Sequence, residues 1–329
     1  MKLKTATTIF AIIATVCITI ALSSATATRL EAEKSSEETK ETTTPSIVLS
    51  PDVPGCVTFA GEEISLATQD RRERMDREML AFSYSHINTM LQIKRANRLF
   101  PIIEPILKEC GVPDDLKYLM IIESNGDTEA VSPAKAGGLW QFLESTGREY
   151  GLEVNKEIDE RYNIEKATRA ACEYLKGSYR IYKDWLTVAA SYNTGRGNVA
   201  KHVDAQKEQK AINLKLLPET SRYIFRLLAV KTIFTNPQAY GFHLRSCDLY
   251  PLIAHKEIVT VDSAVENWGT FAKKHGATYL QLREANPWIR STSLTNKNMK
   301  KYSVKIPDVE ALEYDPKQTK AHDTRWVVE

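Results

Sequence analysis

The feature that most constrains this chain is a train of helical apolar spacings between residues 70 and 243, each closed by a residue that stops helices. From Arg71 to Cys110, "IKRANRLFPIIEPILKECG" reads as a helix, a break at Pro101, and a second helix closed by Gly111. Pro113 and Asp114 open the next helix, which runs through "DLKYLMIIES". "IEKATRAACEYLKGSYRIYK" and "DWLTVAASYN" follow, the latter ending at Thr194-Gly195-Arg196-Gly197, and "ETSRYIFRLLAVKTIF" stops before Asn236-Pro237. Period-two alternation is scarce here, so the region is mainly α with short loops. After Cys247 the pattern changes. "KEIVTV" and "YSVKIP" are strand-like, and "SAVENWGTFAKKHG" and "TYLQLREAN" between them are helical, which makes a small β-α-α-β module.

The N-terminus carries a different signal. Lys2 and Lys4 precede an apolar run from Ile9 to Leu22 that ends in Ala25-Thr26-Ala27, a small-x-small cleavage pattern, so residues 1–27 read as a signal peptide. An uncleaved membrane anchor is the alternative, although the run is short for a spanning helix. Cys17 lies inside that run behind Val16, where a lipid-attachment cysteine would want a small residue before it. Residues 28–47, polar and almost without large apolar side chains, read as a disordered linker. Export leaves Cys56, Cys110, Cys172 and Cys247 in an oxidising compartment, where three disulfide pairings, or buried free thiols, are open.

Composition narrows the partners little. With Lys+Arg 44 against Asp+Glu 42 and a net charge of +2, the chain has no long-range field that argues for nucleic acid. The cysteine spacing fits no zinc site, and no metal or cofactor is expected.

The candidate site begins at "IIESNGD". Glu123 falls on one helical stripe with Leu116, Leu119 and Met120, so a carboxylate shares the core face. It also lies in the last helical turn, where unsatisfied carbonyls disfavour a negative charge. Burial and helix end both push its pKa upward, and a Glu held near ~6 is a usable general acid at neutral pH. Ser124 can hydrogen-bond beside it, and Asn125-Gly126 opens the chain into a loop. "SPAKAGGLWQF" then offers Gly137 and Gly138, which let backbone approach a ligand, with Trp140 to stack on a sugar and Gln141 to hydrogen-bond it. Trp140 is equally readable as core. Asp127 and Glu129 lie in the following loop as solvated groups, and Asp159 and Glu160 beside Arg161 read as structural ion pairs. Tyr118, Tyr150, Tyr162, Tyr174 and Tyr223 read as packing, with room for one of them to line a groove.

The stretches "IESNGDTEAVSPAKAGGLWQFLESTGREYGL", "IDERYNIEKATRAACEYLK", "DWLTVAASYNTGRGNV" and "LPETSRYIFRLLAVKTIFTNPQAYGFHL" resemble, in order, the catalytic domain of the soluble-type (SLT) lytic transglycosylases, and among them the membrane-bound type D branch that carries LysM modules. The resemblance covers roughly residues 50 to 245. It implies a lysozyme-like α fold that cleaves the β-1,4 bond between N-acetylmuramic acid and N-acetylglucosamine in peptidoglycan without water, the muramyl 6-hydroxyl attacking its own anomeric carbon. Carried over by position, Glu123 matches the catalytic acid and base. Ser124 matches the Ser that helps orient that carboxylate or the muramyl N-acetyl group. Gln141 matches the substrate-contacting Gln of a Gly-Leu-Met-Gln motif, with Trp140 in place of Met, and Tyr192-Asn193 match an Ala-Tyr-Asn motif near the Glu, with Ser191 in place of Ala. One carboxylate is consistent with this chemistry, because ordinary glycosidases need two, about 5 or 6.5 to 9.5 Å apart, whereas substrate-assisted enzymes do not.

Residues 255–307 resemble a divergent LysM module through "VTVDSAVENWGTFAKKHGATYLQLREANPWI" and "VKIP". Where that family has Gly-Asp-Thr or Gly-Asp-Ser this chain has Val261-Asp262-Ser263, so glycan binding and a structural cap on the catalytic domain both stay open. The expected organisation is a signal peptide over 1–27, a linker over 28–47, a lysozyme-like transglycosylase domain over 48–248, a LysM-like domain over 255–307 and a tail over 308–329. The expected partner is the peptidoglycan glycan strand, in the periplasm or cell envelope, with membrane or wall association and oligomeric state left open. A hydrolytic muramidase using Asp127 or Asp159, and a non-catalytic glycan-binding protein, are the rival readings.

Overall fold

The computed structural model describes residues 49–328; the expected signal peptide and linker lie outside the described residues. The described chain opens with a hairpin that the sequence reading did not anticipate. Strands β1 (Cys56–Phe59) and β2 (Glu62–Ser65) pair antiparallel, Val57 opposite Ile64, around an Ala60-Gly61 turn in which both residues have positive φ. Val57, Phe59 and Ile64 are buried, so even strands of four residues deliver an apolar face to the helices.

Helices α1 (Gln69–Tyr84) and α2 (His86–Cys110) follow. The expected break at Pro101 does not occur: α2 runs unbroken through Pro101 and Pro105 to Gly111, whose φ of 69° closes it. Each interior proline costs about 3 kcal/mol. Leu99, Phe100, Ile103, Ile106 and Leu107 are all buried around them, at roughly 2 kcal/mol each, and that burial decides the outcome. The two prolines sit one turn apart on the outer face.

A 3-10 turn over Asp114–Lys117, where an α turn was expected, leads into α3 (Tyr118–Ser124), and α4 (Glu144–Glu149) lies beyond the loop that follows. Helix α5 (Ile164–Tyr182) is capped by Asn163, and α6 (Trp185–Thr194) by Asp184, each side chain accepting from a backbone N–H three residues on. Gly195 turns the chain into α7 (Arg196–Gln206), and α8 (Pro218–Thr235) starts on a proline and packs against α1, α3 and α6. The short helix α3 could not hold itself in water; α8 and the surrounding core hold it.

The C-terminal module has the expected order: β3 (His255–Val261), α9 (Trp268–Lys274), α10 (Tyr279–Ala285) and β4 (Tyr302–Pro307), with β3 and β4 antiparallel and Val259 opposite Val304. Helix α9 begins five residues after Ser263 because Asn267, accepting from Thr270 N, is its cap. Trp268, Leu282, Ile289, Val304 and Ile306 form its core, and Ile158 and Tyr162, from the turn before α5, insert into the same cluster.

Beyond β4 the chain returns to the helical domain. Trp326 is buried against Phe100 and Phe234 and donates from Nε1 to the Phe234 carbonyl at 2.8 Å; Val327 bridges Leu244. Asn97 on α2 holds both ends of the excursion, its Nδ2 donating to the carbonyls of Tyr250 and Lys320 at 3.1 Å each while its Oδ1 accepts from His322 N at 2.7 Å. All four described cysteines are free thiols. Cys110 and Cys172 are neighbours across α2 and α5, and burial first, then the Cys110 thiol, pushes Cys172 upward. No helix among the described residues is long and apolar enough to cross a membrane.

Candidate active site

Helix α3 is buried on every side, not along one stripe as the spacing suggested. Tyr118, Leu119, Met120, Ile121, Ile122 and Ser124 are all buried, and Glu123 alone is partly exposed. Asn125, in the left-handed region at φ 55°, ends the helix one residue later; its side-chain oxygen accepts from Gln92 Nε2 at 2.7 Å and its carbonyl from Arg95 at 3.1 Å. The turn is thereby fixed, and with it the direction in which Glu123 leaves the helix.

Two residues of α8 meet that carboxylate. Tyr223 donates from its hydroxyl to Glu123 Oε1 at 2.6 Å, and Arg226, whose guanidinium also donates to the Ile122 carbonyl at 3.3 Å, lends a positive charge. Burial nevertheless dominates and raises the Glu123 pKa to about 7; the Tyr223 hydrogen bond and Arg226 oppose the shift, and the charge of the exposed Glu219, one turn before Tyr223, adds to it. Burial, then the Glu123 charge, in turn pushes the Tyr223 and Tyr192 hydroxyls well above their ordinary range. At neutral pH Glu123 is thus divided between acid and carboxylate.

Two outcomes follow. A reaction that uses Glu123 as its acid should have a kcat/KM that falls as pH rises through about 7, because only the protonated form can donate. Tyr223→Phe removes a bond that favours the ionised form, so it should move that limb to higher pH while lowering the rate. A pH–rate profile of the two proteins checks both, and a limb near 4.5 in either would remove Glu123 as the acid.

The remaining sequence candidates divide. Tyr192 is near Glu123, but its hydroxyl is committed to the Trp140 carbonyl at 2.7 Å, and its ring packs edge-on against Tyr174 at 5.1 Å. Asn193 follows it, partly exposed. Ser124 does not reach the carboxylate: it is buried, and its hydroxyl turns back to the Met120 carbonyl at 2.8 Å.

Trp140 is corrected outright. It is 0% exposed and its indole N–H donates to Thr168 Oγ1 at 2.9 Å, so it is a core anchor beneath the loop and offers no face to a sugar. Gln141, at φ 48°, directs Nε2 to the carbonyls of Gly138 and Ala130 at 2.8 and 3.2 Å, which leaves its Oε1 as the end that can accept from a ligand.

The paired glycines serve a different close approach from the one expected. A Cβ on Gly138 would run into the Arg161 carbonyl oxygen, and one on Gly137 would come within 2.9 Å of the Tyr162 hydroxyl. The backbone they admit is the protein's own 159–162 turn. Arg161 is buried there in an ion pair with Asp159 at 2.7 Å and donates to the carbonyls of Lys135 and Phe142 at 2.9 and 3.1 Å, pinning both ends of the glycine loop. Glu160 pairs with Lys166, so the expected structural pairs are found, while Asp127 pairs with Arg95 at 3.5 Å. Sequence reasoning placed Tyr223 among the packing tyrosines, one of which could line a groove, and missed Arg226. The signal was the helical register of α8, which puts Glu219, Tyr223 and Arg226 on one face.

Among the described residues no group of three or more His, Cys, Asp or Glu side chains is placed to hold a metal ion. Residues 100–215 match the transglycosylase SLT domain, and residues 257–310 match the soluble lytic transglycosylase C-terminal LysM-like domain. Over 244 residues the chain is 30% identical to the membrane-bound lytic murein transglycosylase D of Escherichia coli strain K12, an alignment covering 72% of this chain and 52% of that protein. The protein of the same name from Escherichia coli O6:H1 gives the same figures. The chain thus spans about half the length of these curated relatives.

Proposed function

We propose that this chain, which carries a transglycosylase SLT domain and a LysM-like domain, is a peptidoglycan lytic transglycosylase of the cell envelope. The observation that carries the reading is the single partly exposed carboxylate of a buried helix, raised to about 7 and gripped on one oxygen by Tyr223. The relatives, named as murein transglycosylases and membrane-bound, support the substrate and the location.

In this mechanism Tyr223 occupies Oε1, so the acidic proton sits on Oε2. Oε2 protonates the glycosidic oxygen between N-acetylmuramic acid and N-acetylglucosamine, and that C–O bond breaks. Arg226 and the Tyr223 hydroxyl then stabilise the carboxylate left behind in its buried site. The carboxylate takes the proton from the muramyl 6-hydroxyl as its oxygen bonds to the anomeric carbon. Glu123 ends as it began, no water is consumed, and the product carries a 1,6-anhydromuramic end.

Among the described residues the other candidate carboxylates are occupied or exposed. Asp159 is locked to Arg161, Asp127 faces Arg95, and Glu219 is exposed. The test is mass spectrometry of muropeptides released from purified peptidoglycan, before and after borohydride. Products one water lighter than hydrolytic ones and resistant to reduction are expected. Reducible products would make the protein a muramidase and Glu219 the next carboxylate to examine; binding without products would make it a glycan-binding protein.

A further inference from the structure

The LysM-like module reaches the loop that follows Glu123 through the segment Pro287 to Arg290 and through Arg283 of α10. Arg290 donates to Glu129 Oε1 at 3.0 Å, with Arg283 behind it at 3.8 Å from the same oxygen. Its guanidinium lies over the Tyr162 ring, 4.2 Å from the centroid, and it is Tyr162 whose hydroxyl the Gly137 backbone abuts. The Trp288 carbonyl accepts from Asp159 N at 2.9 Å, and Asp159 holds the arginine that pins Lys135 and Phe142. Ile158 bridges Ile289 and is 0% exposed within the module's own core.

Besides the bond from Arg290 N to the Glu157 carbonyl at 2.8 Å, this segment's contacts through Glu129, Tyr162 and Asp159 lead to one loop. Glu129 precedes Ala130, whose carbonyl takes both Gly138 N at 2.9 Å and the Gln141 side chain. The loop over 129–142 is therefore held from inside by Arg161 and from outside by Arg290. A module tethered only to hold a wall polymer has no need of such contacts.

We propose that the C-terminal module acts on the reaction by positioning the 129–142 loop, with Arg290 as the positioning residue; as a statement about catalysis this rests on the transglycosylase reading above. Arg290 touches no reacting atom. An ion pair as exposed as Arg290–Glu129 contributes little to stability. The loop reaches the carboxylate's surroundings through the Trp140 carbonyl, which accepts from Tyr192 near Glu123, and a reacting group displaced by about 1 Å loses up to ~10²-fold in rate. Activity and stability should therefore separate.

The experiment compares the full chain with Arg290→Ala and Arg290→Lys. Arg290→Ala should lower kcat on the order of 10-fold, with KM, and sedimentation with purified sacculi in a Glu123→Gln background, unchanged. Its melting temperature should stay within about 2 °C of the parent. Arg290→Lys, which keeps a cation over Tyr162 and beside Glu129, should restore most of the rate. Hydrogen exchange gives a readout that does not depend on activity: the amides of Gly137, Gly138 and Gln141 should exchange faster in Arg290→Ala while those of α5 and α8 do not change. An unchanged kcat and unchanged exchange would overturn the proposal, as would loss of sacculus binding with kcat intact. If the parent releases no muropeptides the transglycosylase reading fails, and the exchange result still decides whether Arg290 holds the loop.

Discussion

Glu123→Gln should abolish muropeptide release, lowering the rate by at least ~10³-fold, because in the proposed mechanism one side chain supplies both the acid and the base and each is worth roughly 10² to 10⁴. The substitution preserves shape, and the amide can still accept from the Tyr223 hydroxyl, so folding should survive. It should in fact improve at alkaline pH. The folded-state pKa of about 7 lies above the ordinary 4.5, so the folded protein holds the Glu123 proton more tightly than the unfolded chain does. The stability linked to that proton is fully present below about 4.5 and is lost as pH rises through about 7, a difference of roughly 3 kcal/mol at pH 8. Gln cannot ionise and escapes the loss. Thermal melts should therefore place the variant above the parent at pH 8 and beside it at pH 4. Retention of more than a tenth of the rate would remove Glu123 from the reaction, and equal melting at both pH values would contradict its burial.

Gly138→Ala should be the most damaging single methyl group in the site. Gly138 has φ 73°, and its Cβ position is filled by the backbone of Arg161, which cannot swing away as a flexible side chain would. The left-handed strain costs about 1 kcal/mol and the overpacking about 2 more, or roughly 6 to 12 °C of melting temperature. Gly151 is the control. Its φ is 81° and nothing lies within 4 Å of its Cβ, so Gly151→Ala should show the strain alone, about 1 kcal/mol. Differential scanning calorimetry of the two variants separates the terms, and equal losses would mean that the close approach carries no energy.

Much of this was legible in the sequence where burial has a period. Helix α5 buries an apolar stripe that spacing reveals, α6 and α8 announce themselves by apolar runs that are buried on most sides, and Gly111 caps α2 as its position implies. Helix α7 buries only Val199 and begins between two glycines, so neither stripe nor cap announced it. Pro101 misled because local propensity says nothing about five buried neighbours. Glu123 was readable, since a carboxylate within an apolar run is out of pattern whichever way the helix turns. The fate of Trp140 was not: only the third dimension says whether an indole after two glycines faces a ligand or the core. Tyr223 lies 100 residues from Glu123, and no local pattern joins them.

The hold that Asn97 takes on Tyr250 and Lys320 turns the C-terminal module into an insertion and not an appendage. One amide nitrogen touches the chain where it departs and where it comes back, so the two strands of the junction lie side by side, as at the neck of a loop. A stop codon after residue 250 would therefore delete more than the module, because it would also remove Trp326 from between Phe100 and Phe234 and open a hole in the helical core. A splice that joins the neck to itself keeps the final indole but uncovers Ile158 and Tyr162, which sit in the module's core. Such a junction keeps the path between its ends short, so that a replacement module would be constrained less by its termini than by the need to receive Ile158 and Tyr162 in its own core.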